Sequence, residues 1–290
     1  MKKRLALLLI IPVLLAAGVL LYVALSGTYI TQYADQTGSQ AMFYTIETGK
    51  GHLIVVDGGT SGNAGYVREV IEEKGGKIDA WIITHPHPDH VGAFNELWEE
   101  YKDRIETVYA PEIDYIAYQN KAQEWDGFEY YTRFLEYMAD CDKLTYLHEG
   151  DAFRIGDLQF NVIYAYCEAV NVLSRDIPND GSLVFKVSGK TESMLFCSDV
   201  GIAMSDTILQ KHSDELKCDY IQMAHHGNGG LQESLYRVTE PKAAFFDAPE
   251  WLMNPGEGKN YTTPANRALM EGMGAEIFYY ATAPNRIELK

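Results

Sequence analysis

Three histidines and one aspartate lie within the short stretch THPHPDH, residues 84–90. A proline disfavours helix for the residue before it and has no N–H to donate, so His85 and His87 are expected to lie in an extended segment. Alternate side chains of an extended segment project to the same side, which would turn both imidazoles toward one point. Asp89 and His90 follow where the chain turns into a helix. This places a carboxylate and a third imidazole beside the first pair.

Imidazole and carboxylate groups together favour Zn²⁺, and they also suit Fe or Mn. Four such groups can hold two divalent ions instead of one. The alternative is that Asp89 caps a helix and the histidines are ordinary loop residues. Three histidines and an aspartate together at the end of a strand favour the metal site over this alternative. The prolines then fix the ligand directions before a metal binds, which lowers the ordering cost of binding.

The elements that must hold this loop follow from the hydrophobic pattern. MFYTIE, HLIVVDGG and IDAWIIT are typical of strands, and AGYVREVIEEKG and VGAFNELWEEYK have helical spacing. The motif is therefore predicted to be a strand-to-helix loop. Residues 111–140 are predicted to form helices beside it. Further strands are predicted in FRIGDLQFNVIYAY, SLVFKVSG, SMLFCSDV, CDYIQMAHHG, AAFFDA and EIFYYA, with a helix in TPANRALMEGMG. Residues 27–290 are expected to form one layered αβ domain.

A basic start at residues 2–4 precedes an apolar run over residues 5–25. At ~1.5 Å per residue, this run matches a hydrocarbon core ~30 Å thick. Residues 1–26 are therefore predicted to be an uncleaved membrane anchor. A signal peptide cleaved near Ser26 is the main alternative, and a buried core helix is a third. Because positive charges stay inside, an anchor or a signal peptide places residues 27–290 outside the cytoplasmic membrane, as a single-pass membrane protein or a secreted one.

The net charge of −17 disfavours a broad electrostatic grip on nucleic acid, which needs Lys and Arg to displace counterions. Bound cations would offset part of this charge. Four cysteines show no CxxC metal pattern, so they are predicted to be core thiols or to form one unassigned bridge: Cys141, Cys167, Cys197 and Cys218. The oligomeric state stays open.

His85, His87, Asp89 and His90 stand as HxHxDH, and this pattern resembles the hallmark of the metallo-β-lactamase superfamily. The resemblance implies an αββα sandwich for the soluble part. Asp57 in VVDGG resembles the upstream aspartate that orients a metal-binding histidine from behind. An ordinary Asp-Gly turn is the alternative for Asp57.

Three later blocks, NDGSLVFKVSGK, MLFCSDVG and IQMAHHG, resemble the hydrolase domain of bacterial ComEC-type competence proteins. The resemblance implies that Asp199 bridges two metals and that His226 or His225 closes the far side of the site. Side chains of adjacent residues diverge, so one of the two is expected to be a ligand. His226 is favoured, which leaves His225 as an acid–base candidate. Asp89, Asp199 and His225 are thus the catalytic candidates.

Two departures from this pattern matter. Where many members of the superfamily have another histidine, this chain has Asn179 and Asp180, so one metal shell would be filled by either residue or by water. The competence-type domain also tends to have a late histidine before a proline, where this chain has Thr263 before Pro264. That difference disfavours DNA hydrolysis. His148 is an unplaced candidate ligand, and a surface turn is the favoured interpretation of it.

The chain also resembles the pneumococcal phosphorylcholine esterase branch, through HxHxDH, the Asn-containing block and FFDAPEWLMNP. Trp251, with Trp125, could hold a quaternary ammonium by cation–π attraction, and aromatic packing is the alternative. Both resemblances imply hydrolysis of a phosphodiester, of nucleic-acid or phosphocholine type, by a metal-bound hydroxide at a centre of two divalent ions. The alternatives are a non-catalytic binding or regulatory module and a lactone or β-lactam hydrolase.

Overall fold

A computed structural model describes residues 27–280 and 283–290 of the chain. The predicted membrane segment, residues 1–26, lies outside the described residues and stays a prediction. Over the part that is described, no helix is both long and apolar enough to cross a bilayer.

The described residues form two seven-stranded sheets. In chain order the strands are β1 (Thr28–Gln32), β2 (Phe43–Glu47), β3 (Leu53–Asp57), β4 (Ile78–Ile82), β5 (Ile105–Pro111), β6 (Leu144–Leu147), β7 (Ala152–Ile155), β8 (Leu158–Tyr164), β9 (Val184–Ser188), β10 (Ser193–Phe196), β11 (Tyr220–Gln222), β12 (Ala243–Phe245), β13 (Glu276–Phe278) and β14 (Asn285–Leu289). The first sheet has the order β14-β1-β2-β3-β4-β5-β6, and the second has the order β13-β12-β11-β10-β9-β8-β7.

Helices cover the outer faces of these sheets. They are α1 (Ala64–Glu73), α2 (Pro88–Tyr101), α3 (Tyr115–Lys121), α4 (Phe128–Met138), α5 (Glu168–Leu173), α6 (Ile177–Asp180), α7 (Ile202–His212), α8 (Glu233–Thr239), α9 (Glu250–Met253) and α10 (Thr263–Gly272). Short 3₁₀ turns lie at Ser61–Asn63, Ser213–Glu215 and Ala224–Gly227. The layered αβ architecture predicted for residues 27–290 is confirmed over the described residues.

Alternating residues of the strands supply the two faces of the core. Ile54 and Val56 of β3 pack in the layer between the sheets, whereas Val55 faces the helices. Across the inter-sheet layer, the rings of Tyr44 and Phe196 meet edge to face with centroids 5.3 Å apart. Burial of each such side chain contributes about 1.5–3 kcal/mol, which stabilises the stacking of both sheets.

Parallel pairing brings several strand ends to one edge. β3 pairs in parallel with β4 in the first sheet, and β10, β11 and β12 are mutually parallel in the second. The residues that follow these strands therefore meet at one rim of the sandwich. The predicted ligands in residues 84–90, Asp199 and the pair His225 and His226 follow β4, β10 and β11.

Each predicted strand or helix overlaps an element of the structure, but the ends differ by up to five residues: α2 begins three residues earlier than predicted, and β11 ends five residues earlier. Helices α3 and α4 lie in residues 111–140 as predicted. FRIGDLQFNVIYAY is divided between two strands, β7 and β8, which pair as a hairpin. Gly156 makes the turn with φ of 58°, a conformation that glycine adopts without steric cost.

Candidate metal centre

The loop between β4 and α2 carries the first two histidines as the sequence predicts. His87 is extended, with φ −69° and ψ 152°, and α2 begins at Pro88. The rings of His85 and His87 lie with centroids 4.9 Å apart, and both side chains are buried. The Nδ1 atom of His85 lies 3.1 Å from the hydroxyl of Thr84, so its Nε2 atom is left to face the site.

Asp57, the last residue of β3, holds His90 from behind. One carboxylate oxygen lies 2.7 Å from Nδ1 of His90 and also accepts the hydroxyl of Thr84 at 2.7 Å. The other oxygen accepts the Thr84 backbone N–H at 2.8 Å. These contacts fix the orientation of the His90 ring and leave its Nε2 atom pointing inward, which is the arrangement predicted for Asp57.

Asp199 lies in a tight turn after β10. The backbone N–H groups of Cys197 and Ser198 donate to one oxygen of the buried Gln222 side chain, at 2.9 and 2.7 Å. The Asp199 N–H is 3.2 Å from the hydroxyl of Ser182. A buried amide and a buried hydroxyl thus hold the turn that aims the Asp199 carboxylate.

The adjacent histidines after β11 diverge because both have left-handed backbone conformations, with φ of 52° at His225 and 57° at His226. Their ring centroids lie 6.0 Å apart. His226 is fully buried. His225 lines the cavity next to it. The backbone N–H of His225 donates to the Ser198 carbonyl at 2.8 Å, which joins the turn after β11 to the turn after β10.

Backbone strain is concentrated at this rim. Among the described non-glycine residues, five have positive φ, and four of them lie here: Asp57, Ser198, His225 and His226. Such conformations cost on the order of 1–3 kcal/mol each and persist where the surrounding structure imposes them. At Asp57 this conformation accompanies the contact with His90, and at His225 and His226 it accompanies the separation of the two rings.

Five predicted ligands converge at this rim, and we call them the inner cluster: His85, Asp89, His90, Asp199 and His226. The Nε2 atom of His226 lies 3.2 Å from carboxylate oxygens of both Asp89 and Asp199. The Nε2 atom of His90 lies 3.4 Å from the same Asp199 oxygen. Ligand atoms of His85, His90 and Asp199 lie within 4.8 Å of one another, and so do those of Asp89, His90 and His226.

These donors fit divalent ions. The Nε2 atoms of His85, His90 and His226, and one oxygen of Asp199, are buried with no hydrogen-bond partner. Buried polar atoms are nearly always paired, so four unpaired atoms in one cluster indicate missing partners. Two ligands of one tetrahedral ion lie roughly 3.4 Å apart for bonds of about 2.1 Å, close to the 3.2 and 3.4 Å separations found here.

Protonation of the cluster reflects its negative charge. Burial opposes ionisation of Asp199, but the imidazoles of His226 and His90 hold the pKa of this carboxyl well below its usual range. In return, Asp199 and Asp89 outweigh the effect of burial and raise the pKa of His226 to about 10. Without metal, the cluster therefore takes up protons to balance its carboxylates, and divalent ions would displace them.

His87 faces two carboxylates that the sequence did not single out. We call His87, Asp126 and Asp176 the outer group. The Nε2 atom of His87 lies 3.6 Å from an oxygen of Asp126 and 4.0 Å from an oxygen of Asp176. Asp126 precedes a glycine and Asp176 caps α6, so each has a local explanation that hides its position next to His87.

Asn179 and Asp180, the residues predicted to fill the incomplete metal shell, have different surroundings. The Asn179 side-chain N–H₂ donates to Asp176 at 2.9 Å, and its carbonyl oxygen is buried without a partner. Asp180 accepts from the Ser174 hydroxyl and from the Gly201 N–H, the latter at 2.9 Å. Both Asp180 oxygens are thus engaged in holding the loop after Asp199, so we assign Asp180 a structural role in place of the predicted metal contact.

A cavity of about 470 Å³ opens above the outer group and the inner cluster. Two exposed tryptophans flank it, Trp125 at 74% exposure and Trp251 at 46%. The Trp251 ring is held by an Nε1 hydrogen bond of 3.0 Å to the carbonyl of Gly38.

His148 and the four cysteines are not among the converging ligand atoms of the described residues. His148 is exposed and lies 3.1 Å from Glu112, in agreement with a surface turn. The four cysteines are free thiols, and two of them are buried in the core as predicted: Cys197 and Cys218.

The two-sheet fold and this cluster of buried imidazoles and carboxylates define a candidate metalloprotein, and comparison with known proteins identifies the family. A model of the metallo-beta-lactamase superfamily matches residues 36–220, and the chain belongs to this superfamily. The chain is 40% identical over 58 residues to a hydroxyacylglutathione hydrolase of Photobacterium profundum. That alignment covers 20% of this chain and 22% of the relative, so the chain matches about a fifth of the relative's length.

Solved structures share the fold at low identity. YhfI of Bacillus subtilis, a metallo-beta-lactamase fold protein, aligns with a TM-score of 0.53 and 11% identity over 90% of this chain and 99% of its own. A diphosphatase from the PhnP family aligns with a TM-score of 0.52 and 13% identity over 91% and 98%. CmlA of Streptomyces venezuelae, a diiron beta-hydroxylase, aligns with a TM-score of 0.53 and 12% identity over 90% and 54%.

Proposed function

We propose that this protein is a metal-dependent hydrolase of phosphodiesters that binds two divalent ions, with Zn²⁺ favoured and Mn or Fe as alternatives. The observation that carries the proposal is the inner cluster: converging imidazole and carboxylate atoms, buried and unpaired, at the floor of an open cavity. Bound divalent ions would lower the pKa of a water and stabilise negative charge on the phosphoryl group.

The residues of the inner cluster divide the work of holding this centre. The Asp199 carboxylate lies close to both His90 and His226, so we assign it the role of a ligand that would serve both ions. Asp89 lies 3.2 Å from His226 and also lines the cavity. Asp57 acts through His90, whose ring it orients.

His225 is assigned the role of a proton donor. It lines the cavity but belongs to neither group of converging ligand atoms within the described residues. An imidazole at this place can give a proton to the leaving oxygen as the phosphorus–oxygen bond breaks, while water supplies the new oxygen.

The cavity walls are assigned to the organic part of the substrate. Trp251 and Trp125 offer aromatic faces at its mouth, and the outer group adds negative charge nearby. Aromatic faces beside carboxylates attract a quaternary ammonium and also permit stacking of a flat ring. A phosphodiester with a choline-like or nucleoside-like substituent therefore fits the cavity.

We place this activity outside the cytoplasmic membrane, with residues 1–26 as an anchor or a cleaved signal peptide. The support is the basic start and the apolar run of the sequence.

The test is a substrate panel on the purified full-length chain in detergent, stripped with a chelator and reloaded with Zn²⁺ or Mn²⁺. The panel contains bis-p-nitrophenyl phosphate, p-nitrophenyl phosphorylcholine, p-nitrophenyl phosphate, a lactone and a β-lactam. We expect metal-dependent turnover of the diesters at least tenfold above the monoester. Faster turnover of the lactone or β-lactam would contradict the proposed substrate class, and no turnover of any compound would favour a binding or regulatory module.

A thioester hydrolase is the second candidate, because the matched relative is a hydroxyacylglutathione hydrolase. A hydroxyacylglutathione thioester is therefore included in the panel. Turnover of this thioester above that of the diesters would replace the first proposal by the second.

A further inference from the structure

We infer that the outer group binds one of the two metal ions, so that Asp126 and Asp176 take the place of a third imidazole beside His87. The inference rests on the proposed function for the presence of two ions, and it adds which side chains hold the second one. It also predicts a difference between the two positions. One position would be rich in imidazole, and the other rich in carboxylate oxygen.

The separation between His87 and Asp126 indicates an intervening ion and not a direct bond. At 3.6 Å, the Nε2 atom of His87 and the oxygen of Asp126 are too far apart for a hydrogen bond. They are close to the roughly 3.4 Å expected between two ligands of one tetrahedral ion. Both atoms are buried and have no hydrogen-bond partner, and Asp126 is only 1% exposed.

The local structure aims the Asp126 carboxylate at His87. Its other oxygen accepts the backbone N–H of Gln123 at 2.8 Å, and its backbone carbonyl accepts the Tyr118 hydroxyl at 3.2 Å. The oxygen that faces His87 is therefore fixed in place while it lacks a partner. A buried unpaired carboxylate oxygen is unfavourable unless a cation compensates it.

Asp176 lines the cavity and lies near the same atom of His87. One of its oxygens accepts the side-chain N–H₂ of Asn179 at 2.9 Å, and the other accepts the Asn179 backbone N–H at 3.2 Å and lies 4.0 Å from His87. The carbonyl oxygen of Asn179 is buried and unpaired beside this pair. Asn179 thus orients Asp176 and offers a further oxygen donor.

Other histidines are engaged elsewhere. His52 lies 2.9 Å from Asp79, His148 lies 3.1 Å from Glu112, and His212 lies 2.8 Å from Glu215. His225 lines the same cavity and is assigned the role of proton donor, so we assign the additional ligands for His87 to oxygen donors. Oxygen-rich shells suit Mn²⁺ better than imidazole-rich shells do, so the outer group should accept Mn²⁺ readily.

The test is Mn²⁺ binding to the chelator-stripped full-length chain in detergent, measured from the electron paramagnetic resonance signal of free Mn²⁺. Wild type is expected to bind two Mn²⁺ per chain. Asp126→Asn, which keeps the size of the side chain but removes its charge, should weaken one of the two sites at least tenfold. Glu124→Gln removes the same charge from the exposed surface of the same loop and should change neither site more than twofold.

Asp176→Asn gives a second arm at a partly exposed position, where substitution is compatible with folding. It should weaken the same site as Asp126→Asn. Two unchanged Mn²⁺ sites in folded Asp126→Asn would overturn the inference. If circular dichroism shows that Asp126→Asn does not fold, Asp176→Asn decides, and unchanged binding by that variant overturns it.

Failure of the inference and failure of the proposed function give different results. Loss of one Mn²⁺ site in Asp126→Asn, in a protein that hydrolyses no compound of the panel, would keep the inference and reject the function. Metal-dependent turnover with unchanged Mn²⁺ binding by Asp126→Asn would keep the function and reject the inference.

Discussion

At the scale of single residues, the turn Ala224–Gly227 matters because it separates the imidazoles of His225 and His226, whose ring centroids lie 6.0 Å apart. His226 lies 3.2 Å from the carboxylates of Asp89 and Asp199, whereas His225 faces the cavity. The adjacency alone left the choice between them open in the sequence. The structure resolves their geometry because both residues have left-handed backbone conformations, which a sequence pattern does not reveal.

This geometry predicts different effects of two alanine substitutions. His226→Ala should reduce metal content below two ions per chain, because it removes a buried donor atom. His225→Ala should keep both ions and lower kcat by roughly 10²-fold, the size expected for loss of a general acid. Metal analysis of both variants beside steady-state kinetics on the best diester checks this. Equal metal loss in both variants would contradict the assignment.

Trp251 gives a second prediction for single residues. Trp251→Ala should raise KM for p-nitrophenyl phosphorylcholine and leave kcat nearly unchanged, because the ring contacts the substituent and not the reacting phosphorus. Cation–π contacts at exposed sites contribute about 0.5–1 kcal/mol, which corresponds to a two- to fivefold change in KM. Ile116→Ala, which truncates an exposed side chain outside the cavity, is the control. A KM for Trp251→Ala equal to that of Ile116→Ala would remove Trp251 from the site.

At the level of elements, the strand-to-helix loop of residues 84–90 was readable from the sequence. Its prolines, its period of two and the helical spacing after it are all local patterns, and the structure follows them. The outer group could not be predicted from local patterns of the sequence. Asp126 precedes α4 and Asp176 caps α6, and only the tertiary arrangement of these elements brings them to His87. Tertiary contacts of this kind leave no periodic signal.

Pro86 tests whether the stiffened loop assists metal binding. Pro86→Ala should weaken metal affinity about two- to fivefold, because an alanine gives the metal-free loop about 0.4–1 kcal/mol of conformational freedom that binding must remove. Pro284→Ala makes the same chemical change at an exposed position before β14 and should leave affinity unchanged. Competition with a metal-sensitive dye measures both constants. Equal affinities in the two variants would mean that the loop is ordered without the proline.

For the whole molecule, a buried carboxylate joins the two sheets. Asp247 accepts hydrogen bonds from Gln32 and Tyr44 of the first sheet, each at 2.7 Å, and from Gln222 of the second at 3.0 Å. Burial raises its pKa from 3.8 to about 6, although the positive charge of His226 and the hydrogen bonds of these donors favour the carboxylate. The network is one that sequence reasoning missed, since its members come from four separate strands or strand ends.

This pKa predicts a pH dependence of stability. The folded protein holds the Asp247 proton more tightly than the unfolded chain, so the stabilisation is present below pH 4 and is lost as pH rises through 6. Relative to Asp247→Asn, metal-free wild type should lose about 2–3 kcal/mol of unfolding free energy between pH 4 and 7. Urea unfolding at several pH values measures this difference, with the exposed Asp140→Asn as control. A difference that is constant with pH would contradict it.

Location is also a property of the whole chain. If residues 1–26 anchor the protein, fractionation should find it in the membrane, with residues 27–290 open to protease outside intact cells. A cleaved signal peptide would instead release a chain that begins near Gly27. Recovery of a full-length cytosolic form would contradict both.

The most direct test of the binuclear centre is parallel measurement of metal content and diester turnover in wild type and Asp199→Asn. The amide is nearly the same size as the carboxylate, so the metal-free variant should melt close to wild type. A neutral group cannot screen two cations from each other, and we therefore expect about two ions per wild-type chain, fewer in the variant, and loss of turnover. An Asp199→Asn protein that keeps two ions and hydrolyses the diester at the wild-type rate would contradict the account.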